Sequence, residues 1–435
     1  MASKEHVVHV GFADQDAAVI DFEKYDVTLL LDAFAASRLP EDVRRRFARV
    51  GILALPRRVD LDDYDRASEQ MIALVREFSR DLGEPSAIVG LYENTTLPAA
   101  RLREEFGLPG TDVRTTLLFR DKVLMKQALN GVVRVPRYWD VDAATPTAEL
   151  EDIAAGLPGK VVLKPRSQAA SFGIEIFDSA GDFLRYARTE GIRDHYEVEE
   201  FVEGAVCHFD GLMRDGEILF LSAARYLGNC FDLQYGKEAL ASVCIDDPVQ
   251  VRQIHEFTER VLGTLGLRDG SFHLEAFRTP DGDLVFLEVA NRLGGGYIRR
   301  HFQEAYGLDL LAESIAVCMN LPSAVEKATT HLDLRAAGRG VTGWVHPALQ
   351  EDALCQVKRI RGLDVCPDSV IYSEIPDIGK VFNRVPGFFV GSGLFILAGE
   401  TTESIERDAL GIIESYGIEV QLLDGSAVLT GPADR

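Results

Sequence analysis

Two glutamates, Glu275 and Glu288, lie in a pair of short segments in which apolar and polar side chains alternate. Asp281-Gly282 joins the segments, and this pair is typical of two-residue hairpin turns because both residues tolerate a positive φ. A turn centred there places Glu275 directly opposite Glu288. Opposed like charges destabilise a strand pair, so the two carboxylates need protons, cationic neighbours or a metal ion. Because carboxylate oxygens suit Mg²⁺, the sequence predicts a magnesium site that binds a nucleotide.

This register also gives the hairpin two different faces. Phe277 then lies opposite Phe286 on the glutamate face. The opposite face is apolar and carries Leu274, Ala276, Leu287 and Val289. His273 shares the face of Glu275, where we interpret it as a structural histidine.

Arg292 follows Glu288 by four residues and precedes the loop Gly294-Gly295-Gly296. A guanidinium can hold a phosphoryl group or a carboxylate with two parallel hydrogen bonds. We therefore expect Arg292 to be catalytic, and Arg292→Ala to cripple turnover while the fold stays intact. The alternative is a solvated acidic hairpin whose glutamates form salt bridges with Arg292.

Two further segments carry residues that suit a nucleotide. Lys164 ends the strand 160–164 and precedes a loop of small residues that includes Ser171 and Gly173, so a cation and backbone N–H groups can meet phosphate oxygens. Farther on, the segment Glu199, Glu200, Phe201 and Val202 leaves a strand and can offer backbone groups to an adenine edge. Each has a plain alternative, a solvated Lys-Pro turn for the first and an acidic edge strand for the second.

Candidates for holding a substrate lie beside the glycine loop and after the hairpin that turns at Arg214-Asp215-Gly216. The leading candidate is Arg225, together with Gly295 and Gly296. Weaker candidates, each more typical of a surface or structural residue, are Tyr226, Lys237, Tyr297 and Arg299. His208 and Asp210 share a phase on the strand before this turn, so either a nucleotide or the surface can lie against them.

The elements that position these residues follow from the order of apolar segments. Residues 6–110 alternate between short strands (6–12, 27–31, 50–55 and 87–91) and helical stretches (41–49 and 65–82), which indicates a small doubly wound sheet. Asp121 can cap a helix that begins at Lys122. From about residue 325 the pattern returns to short strands.

Composition limits the classes of function. At 435 residues, several packed units are expected, and a net charge of −23 argues against nucleic-acid or anionic-membrane partners. The six cysteines form no C-x-x-C motif, no apolar run approaches 18 residues, and the N-terminus does not resemble a signal peptide. We expect a cytoplasmic protein with reduced thiols.

Taken in order, these motifs resemble the ATP-grasp superfamily over roughly residues 115–325. The residues on which this resemblance rests are Lys122, Lys164, Glu199-Glu200, Glu275 and Glu288-x-x-x-Arg292. The resemblance implies that Lys122 and Lys164 hold phosphates, that the Ser167–Gly173 loop closes as a lid, and that Glu199 to Val202 hold adenine. It also implies Glu275 and Glu288 as ligands of Mg²⁺ (or Mn²⁺), and it adds Leu287 to the nucleotide site.

The stretch Glu288-Val-Ala-Asn-Arg-Leu-Gly-Gly-Gly296 is most similar to the L-amino-acid (dipeptide) ligase branch of carboxylate–amine ligases. Many ATP-grasp enzymes have asparagine two residues after the second metal glutamate, whereas this chain has Ala290. Asn291 is adjacent, but on a regular strand it points to the other face. That branch often lacks the asparagine, so Ala290 agrees with it. The acidic residue for ribose that many relatives carry is also missing after Gly204.

The resemblance implies an α/β and α+β fold: an N-terminal doubly wound domain (1–114), two ATP-grasp lobes (115–202 and 203–324) and a C-terminal α+β extension (325–435). The last region either closes the site or forms a homodimer contact. The implied activity is ATP-dependent formation of an amide between small-molecule substrates through an acyl phosphate. The alternatives are an enzyme of the purine-biosynthesis or biotin-carboxylase type, and a catalytically silent nucleotide-binding module.

Overall fold

The computed structural model describes residues 4–56, 61–157, 159–228, 239–325, 328–335, 340–347, 354–382, 392–423 and 427–430. Within these residues, four β-sheets and their helices make up the fold. The first two sheets come from the N-terminal part of the chain. The last two are built after residue 204.

The first sheet is parallel, and helices cover it. Its strands are β1 (Glu5–Val10), β2 (Tyr25–Asp32), β3 (Arg49–Leu53) and β4 (Pro85–Val89), in the order β3-β2-β1-β4. Its helices are α1 (Ala33–Arg38), α2 (Glu41–Arg44), α3 (Asp63–Arg66), α4 (Ser68–Leu82) and α5 (Thr96–Glu105). Leu29 and Leu30 enter different hydrophobic clusters on opposite faces, so the sheet buries side chains on both of its faces.

The predicted doubly wound sheet is therefore confirmed, with one helix shorter than expected. The helix predicted over 41–49 ends at Arg44. Ala48 instead donates its backbone N–H to Val27 O, because the chain is already entering β3. The helix predicted over 65–82 is divided between α3 and α4.

Two short helices lead from the first sheet to the second. They are α6 (Val113–Leu117) and α7 (Lys122–Leu129). The side chain of Asp121 accepts hydrogen bonds from the N–H groups of Val123 and Leu124, so the predicted cap of α7 is confirmed.

The second sheet is antiparallel. Its strands are β5 (Tyr138–Val141), β6 (Val161–Pro165), β7 (Glu175–Phe177) and β8 (Tyr196–Glu200), in the order β5-β8-β6-β7. The helices α8 (Thr147–Ala155) and α9 (Ala180–Thr189) pack on one face through a cluster that includes Leu150, Phe183 and Val198. Strand β8 lies between β5 and β6, so the alternative that Glu199 belongs to an edge strand is wrong.

The third sheet has nine strands. They are β9 (Ala205–Arg214), β10 (Glu217–Leu227), β11 (Leu240–Cys244), β12 (Gly270–Arg278), β13 (Leu284–Ala290), β14 (Thr329–Thr330), β15 (Val341–His346), β17 (Val370–Glu374) and β19 (Leu394–Gly399). The order is β13-β12-β9-β10-β11-β15-β19-β17, with β14 beside β10. Four helices belong to this part, α10 (Pro248–Leu265), α11 (Ile298–Tyr306), α12 (Leu310–Cys318) and α13 (His331–Leu334).

The fourth sheet ends the fold. Its strands are β16 (Cys355–Arg361), β18 (Val381–Phe382), β20 (Gly417–Leu422) and β21 (Ala427–Thr430), and helix α14 (Thr402–Ser415) packs between it and the third sheet. Because β15, β17 and β19 belong to the nine-stranded sheet, that sheet continues across the predicted domain boundary at residue 325. The domain boundaries themselves stay predictions.

The two faces of the nine-stranded sheet differ in chemistry. One face packs Phe209, Leu274 and Phe286 against α10. Alternate residues of the same strands point to the other face, where α11 and α12 pack on apolar residues such as Leu212 and Phe220 and where Asp210 and Glu275 also lie. The two-residue period of the strands thus gives the sheet two faces with different side chains. None of the described helices is long and apolar enough to cross a membrane.

Candidate active site

Strands β12 and β13 bring the two predicted metal ligands together. Glu275 and Glu288 are direct cross-strand partners, as the sequence predicts. Their side chains stay partly open, with 12% of Glu275 and 30% of Glu288 exposed. This opening matters because a metal ion must reach the carboxylate oxygens.

The predicted register also holds at Leu274 and Val289, but it is wrong between the glutamates and the turn. The turn has three residues between Thr279 and Asp283, rather than the two predicted at Asp281-Gly282. Thr279 donates its backbone N–H to Asp283 O. Arg278 pairs with Leu284, and a β-bulge next to Glu275 then restores the predicted pairing of the glutamates. Because the two differences offset each other, the glutamates pair as predicted, whereas the residues between them and the turn do not.

The bulge changes which side chains share a face. Phe286 lies opposite Ala276, not Phe277, and is fully buried in the apolar cluster with Leu274 and Val289. Leu287, which the sequence placed on that apolar face, is not in the cluster and is only partly buried. Its position in the nucleotide site stays a prediction.

Each carboxylate of the pair has a cationic neighbour. Lys122 Nζ lies 3.1 Å from Glu288 Oε2, and His273 Nε2 lies 3.4 Å from Glu275 Oε1. Burial by itself would raise the pKa of Glu288, but Lys122 and Lys164 lower it, so this carboxyl stays ionised. Two adjacent carboxylates that are partly exposed fit Mg²⁺, which binds through one or two carboxylates and keeps waters and phosphates as its other ligands.

Lys122 also ties α7 to the predicted phosphate loop. Its Nζ donates to Gln168 O at 2.6 Å, and its backbone N–H donates to Arg166 O at 3.0 Å. Arg166 in turn forms an ion pair with Asp121, the cap of the same helix, at 2.5 Å. The start of the loop is therefore fixed to the residue predicted to hold phosphate.

The tip of this loop has an unusual backbone. Ala170 and Ser171 adopt φ values of 54° and 58°, and Gly173 adopts 74°. Left-handed conformations cost free energy at non-glycine residues and concentrate at ligand sites. Gly173 has a second requirement, because a Cβ there would lie 2.9 Å from Pro165 Cγ. The predicted roles of Ser171 and Gly173 stay predictions.

Lys164 belongs to a buried quartet of charges that sequence reasoning did not find. Its Nζ lies 2.8 Å from Glu199 Oε2, and Lys126 binds both Glu197, at 2.7 Å, and Glu199. All four side chains are at most 4% exposed. Two signals pointed to it: Lys126 is one helical turn beyond Lys122, and Glu197 and Glu199 share one face of β8.

The quartet holds two lysines and two glutamates, so it is neutral as a whole. Burial by itself would lower the pKa of Lys164, but Glu199 and Glu197 raise it above its usual value. Burial would raise the pKa of Glu199, and Lys126 and Lys164 instead lower it to about 2. The side chain of Glu199 is therefore a partner of lysines, and its backbone is paired within the sheet between β5 and β6.

The end of β8 supplies the predicted adenine segment. Glu200 turns its carboxylate to Arg137, 2.7 Å from Nε, and Phe201 donates its N–H to Lys160 O. Val202 is 8% exposed, and its N–H has no hydrogen-bond partner among the described residues. Of the backbone groups proposed for adenine, the donor of Phe201 is thus already used and that of Val202 is not.

Arg292 has a different partner from the one expected. Its Nε binds Glu93, a residue that follows β4 in the N-terminal sheet, and Nη1 donates to Leu293 O at 2.7 Å. Arg120 binds the same Glu93 at 2.7 Å. Burial would raise the pKa of Glu93, but Arg292 and Arg120 lower it to about 2. The alternative in which Arg292 merely forms a salt bridge with the hairpin glutamates is not what the structure shows.

A buried polar row runs along β9 and β12 behind Glu275. Asp210 accepts from His208 Nδ1 at 2.6 Å through one oxygen and from His273 Nδ1 at 2.8 Å through the other. His208 Nε2 lies 2.6 Å from Ser242 Oγ. Burial by itself would lower the pKa of His273, but Asp210 and Glu275 raise it to about 10. His273 therefore belongs to this charged row.

The substrate candidates separate in space. Arg225 pairs with Cys207, so its side chain leaves the sheet on the face opposite Glu275 and binds Glu406 of α14. The position gives no support to a substrate role for Arg225. Gly295 and Gly296 are exposed in the loop after β13, as expected for residues that adjoin a pocket.

Three of the weaker substrate candidates also have identified neighbours in the structure. Tyr226 stacks on His208, with ring centroids 4.4 Å apart, and Arg299 pairs with Asp309 at 3.2 Å. Tyr297 lines a cavity of about 110 Å³ together with Glu374 and Lys380. Lys237 lies outside the described residues.

Comparison with known proteins supports the ATP-grasp fold and the similarity to L-amino-acid ligases. No family model matches the chain. In sequence, the chain is 28% identical over 240 residues to an L-arginine-specific L-amino acid ligase of Bacillus subtilis, covering 53% of this chain and 57% of that protein. It is 26% identical over 289 residues to human carnosine synthase 1, covering 60% of this chain and 34% of that protein. The chain thus spans between a third and about half of the length of these curated relatives.

Solved structures match over nearly the whole chain. An L-amino acid ligase from Bacillus licheniformis superposes with a TM-score of 0.70 at 16% identity, covering 96% of this chain and 99% of that one. The biotin carboxylase domain dimer of the Hydrogenobacter thermophilus 2-oxoglutarate carboxylase, in complex with MgADP and bicarbonate, gives 0.65 at 15%, covering 97% and 92%. The predicted fold class is confirmed: the chain has the ATP-grasp fold, and in sequence it is similar to an L-amino-acid ligase.

Proposed function

We propose that this chain is an ATP-dependent carboxylate–amine ligase that joins two small molecules, at least one of them an amino acid, through an amide bond. The observation that carries the proposal is the pairing of Glu275 with Glu288 on an open edge, next to Lys122 and the loop that Lys122 fixes. The similarity to ligases whose names specify amino-acid substrates supports the reaction type.

The chemistry has to solve the poor reactivity of a carboxylate. An oxygen of the substrate carboxylate attacks the γ-phosphorus of ATP, the bond to ADP breaks, and an acyl phosphate forms. The amine then attacks the carbonyl carbon, the C–O bond to phosphate breaks, and the amine loses a proton. Amide, ADP and phosphate result, and no protein nucleophile is consumed.

The residues of the chain would bind and orient the reactants. Glu275 and Glu288 would hold Mg²⁺, which neutralises phosphate charge when bound. Lys122 and Lys164 would contact the phosphates, with Lys164 kept cationic by Glu199. The Ser171–Gly173 tip would cover the phosphates and exclude water. Val202 would offer its N–H to adenine.

Arg292 has one part of its guanidinium fixed by Glu93 and Leu293. Such an anchored arginine can present its remaining N–H donors to the transferring phosphoryl group or to a substrate carboxylate without losing further conformational freedom. We therefore keep Arg292 as the proposed catalytic residue. Glu93 is the residue that positions it.

The test is a screen of the full chain with ATP and Mg²⁺ against pairs of amino acids, measuring ADP and phosphate and identifying products by mass spectrometry. We expect phosphate release that needs both members of a pair, and an amide product. Glu275→Gln is the matched inactive control. Phosphate release that depends on bicarbonate would instead favour a carboxylating enzyme, and nucleotide binding without turnover over the whole panel would favour a regulatory module.

A further inference from the structure

His273 contacts Glu275 and is itself bonded to a buried carboxylate, Asp210, that no motif predicted. Asp210 is 1% exposed and accepts hydrogen bonds through both oxygens, from His208 at 2.6 Å and from His273 at 2.8 Å. The far nitrogen of His273, Nε2, lies 3.4 Å from Glu275 Oε1. A continuous line of polar atoms therefore runs from Asp210 through the imidazole to the proposed metal ligand.

The glycine loop rests on the same line. A Cβ on Gly294 would lie 2.3 Å from Asp210 Oδ1 and 3.1 Å from His273 Nδ1. A side chain at this position would have to displace the oxygen or the hydrogen bond it accepts. Gly294 is thus needed for close approach, whereas the neighbouring Gly295 has nothing within 4 Å of such an atom.

We propose that Asp210 and His273 are positioning residues: through the imidazole they hold Glu275 in the orientation that binds the metal, and Gly294 lets the glycine loop pack on this pair. The inference rests on the proposed function, because it takes Glu275 as a metal ligand. It adds that the metal site and the loop beside the substrate share one buried support.

The physical reason is the freedom of a partly open carboxylate. Glu275 faces the like charge of Glu288 and would turn away from it if nothing held its oxygens. An imidazole fixed on its other side by a buried carboxylate restricts the carboxylate that it contacts. In metal sites, loss of such an outer partner commonly lowers metal affinity by about 10–100-fold.

The experiment measures Mn²⁺ binding to the full chain in the presence of ADP, from the electron paramagnetic resonance signal of free Mn²⁺. ADP affinity in EDTA and the midpoint of thermal unfolding are measured alongside. His273→Asn keeps a donor near Nδ1 for Asp210 and removes the contact with Glu275. His273→Gln keeps a donor near Nε2 for Glu275.

We expect His273→Asn, Asp210→Asn and Gly294→Ala to weaken Mn²⁺ binding by about 10–100-fold while ADP affinity in EDTA changes little, and His273→Gln to recover part of the loss. His301→Asn is the matched control, since His301 is equally buried but bonds to Thr342 and not to this row. If Asp210→Asn does not fold, the two His273 variants decide alone.

Three outcomes are distinguishable. If Glu275→Gln abolishes Mn²⁺ binding but His273→Asn binds as the wild type does, the positioning inference is overturned and the proposed function stands. An equal loss of affinity in His273→Asn and His301→Asn also overturns it, because the effect would then be general to buried histidines. If the wild type binds no Mn²⁺ with ADP, both the inference and the metal site fall.

Discussion

Two charged clusters adjoin the predicted phosphate loop, and they differ in how far their charges are paired and buried. The quartet of Lys126, Lys164, Glu197 and Glu199 is closed: each charge has a partner of opposite sign, and no member is more than 4% exposed. The pair of Glu275 and Glu288 is open: two like charges face each other, with 12% and 30% of their side chains exposed.

We therefore expect the two clusters to have different roles. A closed and neutral cluster has little reason to bind a further ion, but it can hold one lysine in place and keep it charged. The carboxylates of the open pair have Lys122 and His273 beside them but stay partly exposed, so a divalent cation can reach their oxygens. We therefore expect changes in the quartet to act mainly on stability, and changes in the pair to act mainly on metal binding and turnover.

The largest effect is expected from Lys126→Met. This change leaves Glu197 and Glu199 buried with one cation between them, and breaking a buried ion pair in this way costs about 3–5 kcal/mol. The free energy of unfolding, from chemical denaturation, measures it. The double variant Lys126→Met/Glu197→Gln removes one charge of each sign and should recover part of the loss. A stability of the single variant equal to that of the wild type would contradict the closed-cluster interpretation.

Arg292→Ala is expected to affect both properties, which revises the expectation that the fold stays intact. Loss of one electrostatic donor should raise the barrier by about 2.7–4 kcal/mol, so kcat should fall by two to three orders of magnitude. Glu93 would also keep only Arg120 as a partner, so the thermal midpoint should fall.

The control for Arg292→Ala is Glu93→Gln, which removes the anchor but keeps the guanidinium. It should lower kcat less than Arg292→Ala does. Turnover of Arg292→Ala near that of the wild type would refute the catalytic role.

Glu288→Gln should separate the two clusters most clearly. Turnover should fall by about two orders of magnitude or more, since one charged ligand of the proposed metal is lost. Stability should change less than in Lys126→Met, because 30% of the Glu288 side chain is exposed whereas Lys126 is fully buried. Steady-state rates and thermal unfolding of the same preparation give both values. A large loss of stability with unchanged turnover would reverse the assignment of the clusters.

The smallest effect is expected from Gly173→Ala in the loop between the clusters. An L-residue at a φ of 74° costs about 1–2 kcal/mol, and here the new methyl group would also contact Pro165. The KM for ATP should rise about tenfold with little change in kcat. Gly191→Ala has a similar φ of 79° with nothing nearby, so it should lose similar stability and leave the KM unchanged. An equal KM in both variants would show that the loop does not contact ATP.

Much of the fold followed from local patterns in the sequence. Short, mostly apolar segments predicted the four parallel strands of the first sheet, and Asp121 predicted the start of α7, because strand burial and helix capping depend on near neighbours. The order of lysines and glutamates along the chain predicted the ATP-grasp fold.

By itself the sequence determined that Glu275 and Glu288 face each other, since both lie on one short hairpin. It did not determine how they do so: between the glutamates and the turn, a three-residue turn and a bulge replace the predicted register, and Phe286 packs into the apolar cluster. The partners of Arg292, Lys164 and His273 were decided by tertiary structure alone. Glu93, Glu199 and Asp210 come from other elements of the fold, and no spacing rule connects residues that meet only after the sheets have packed.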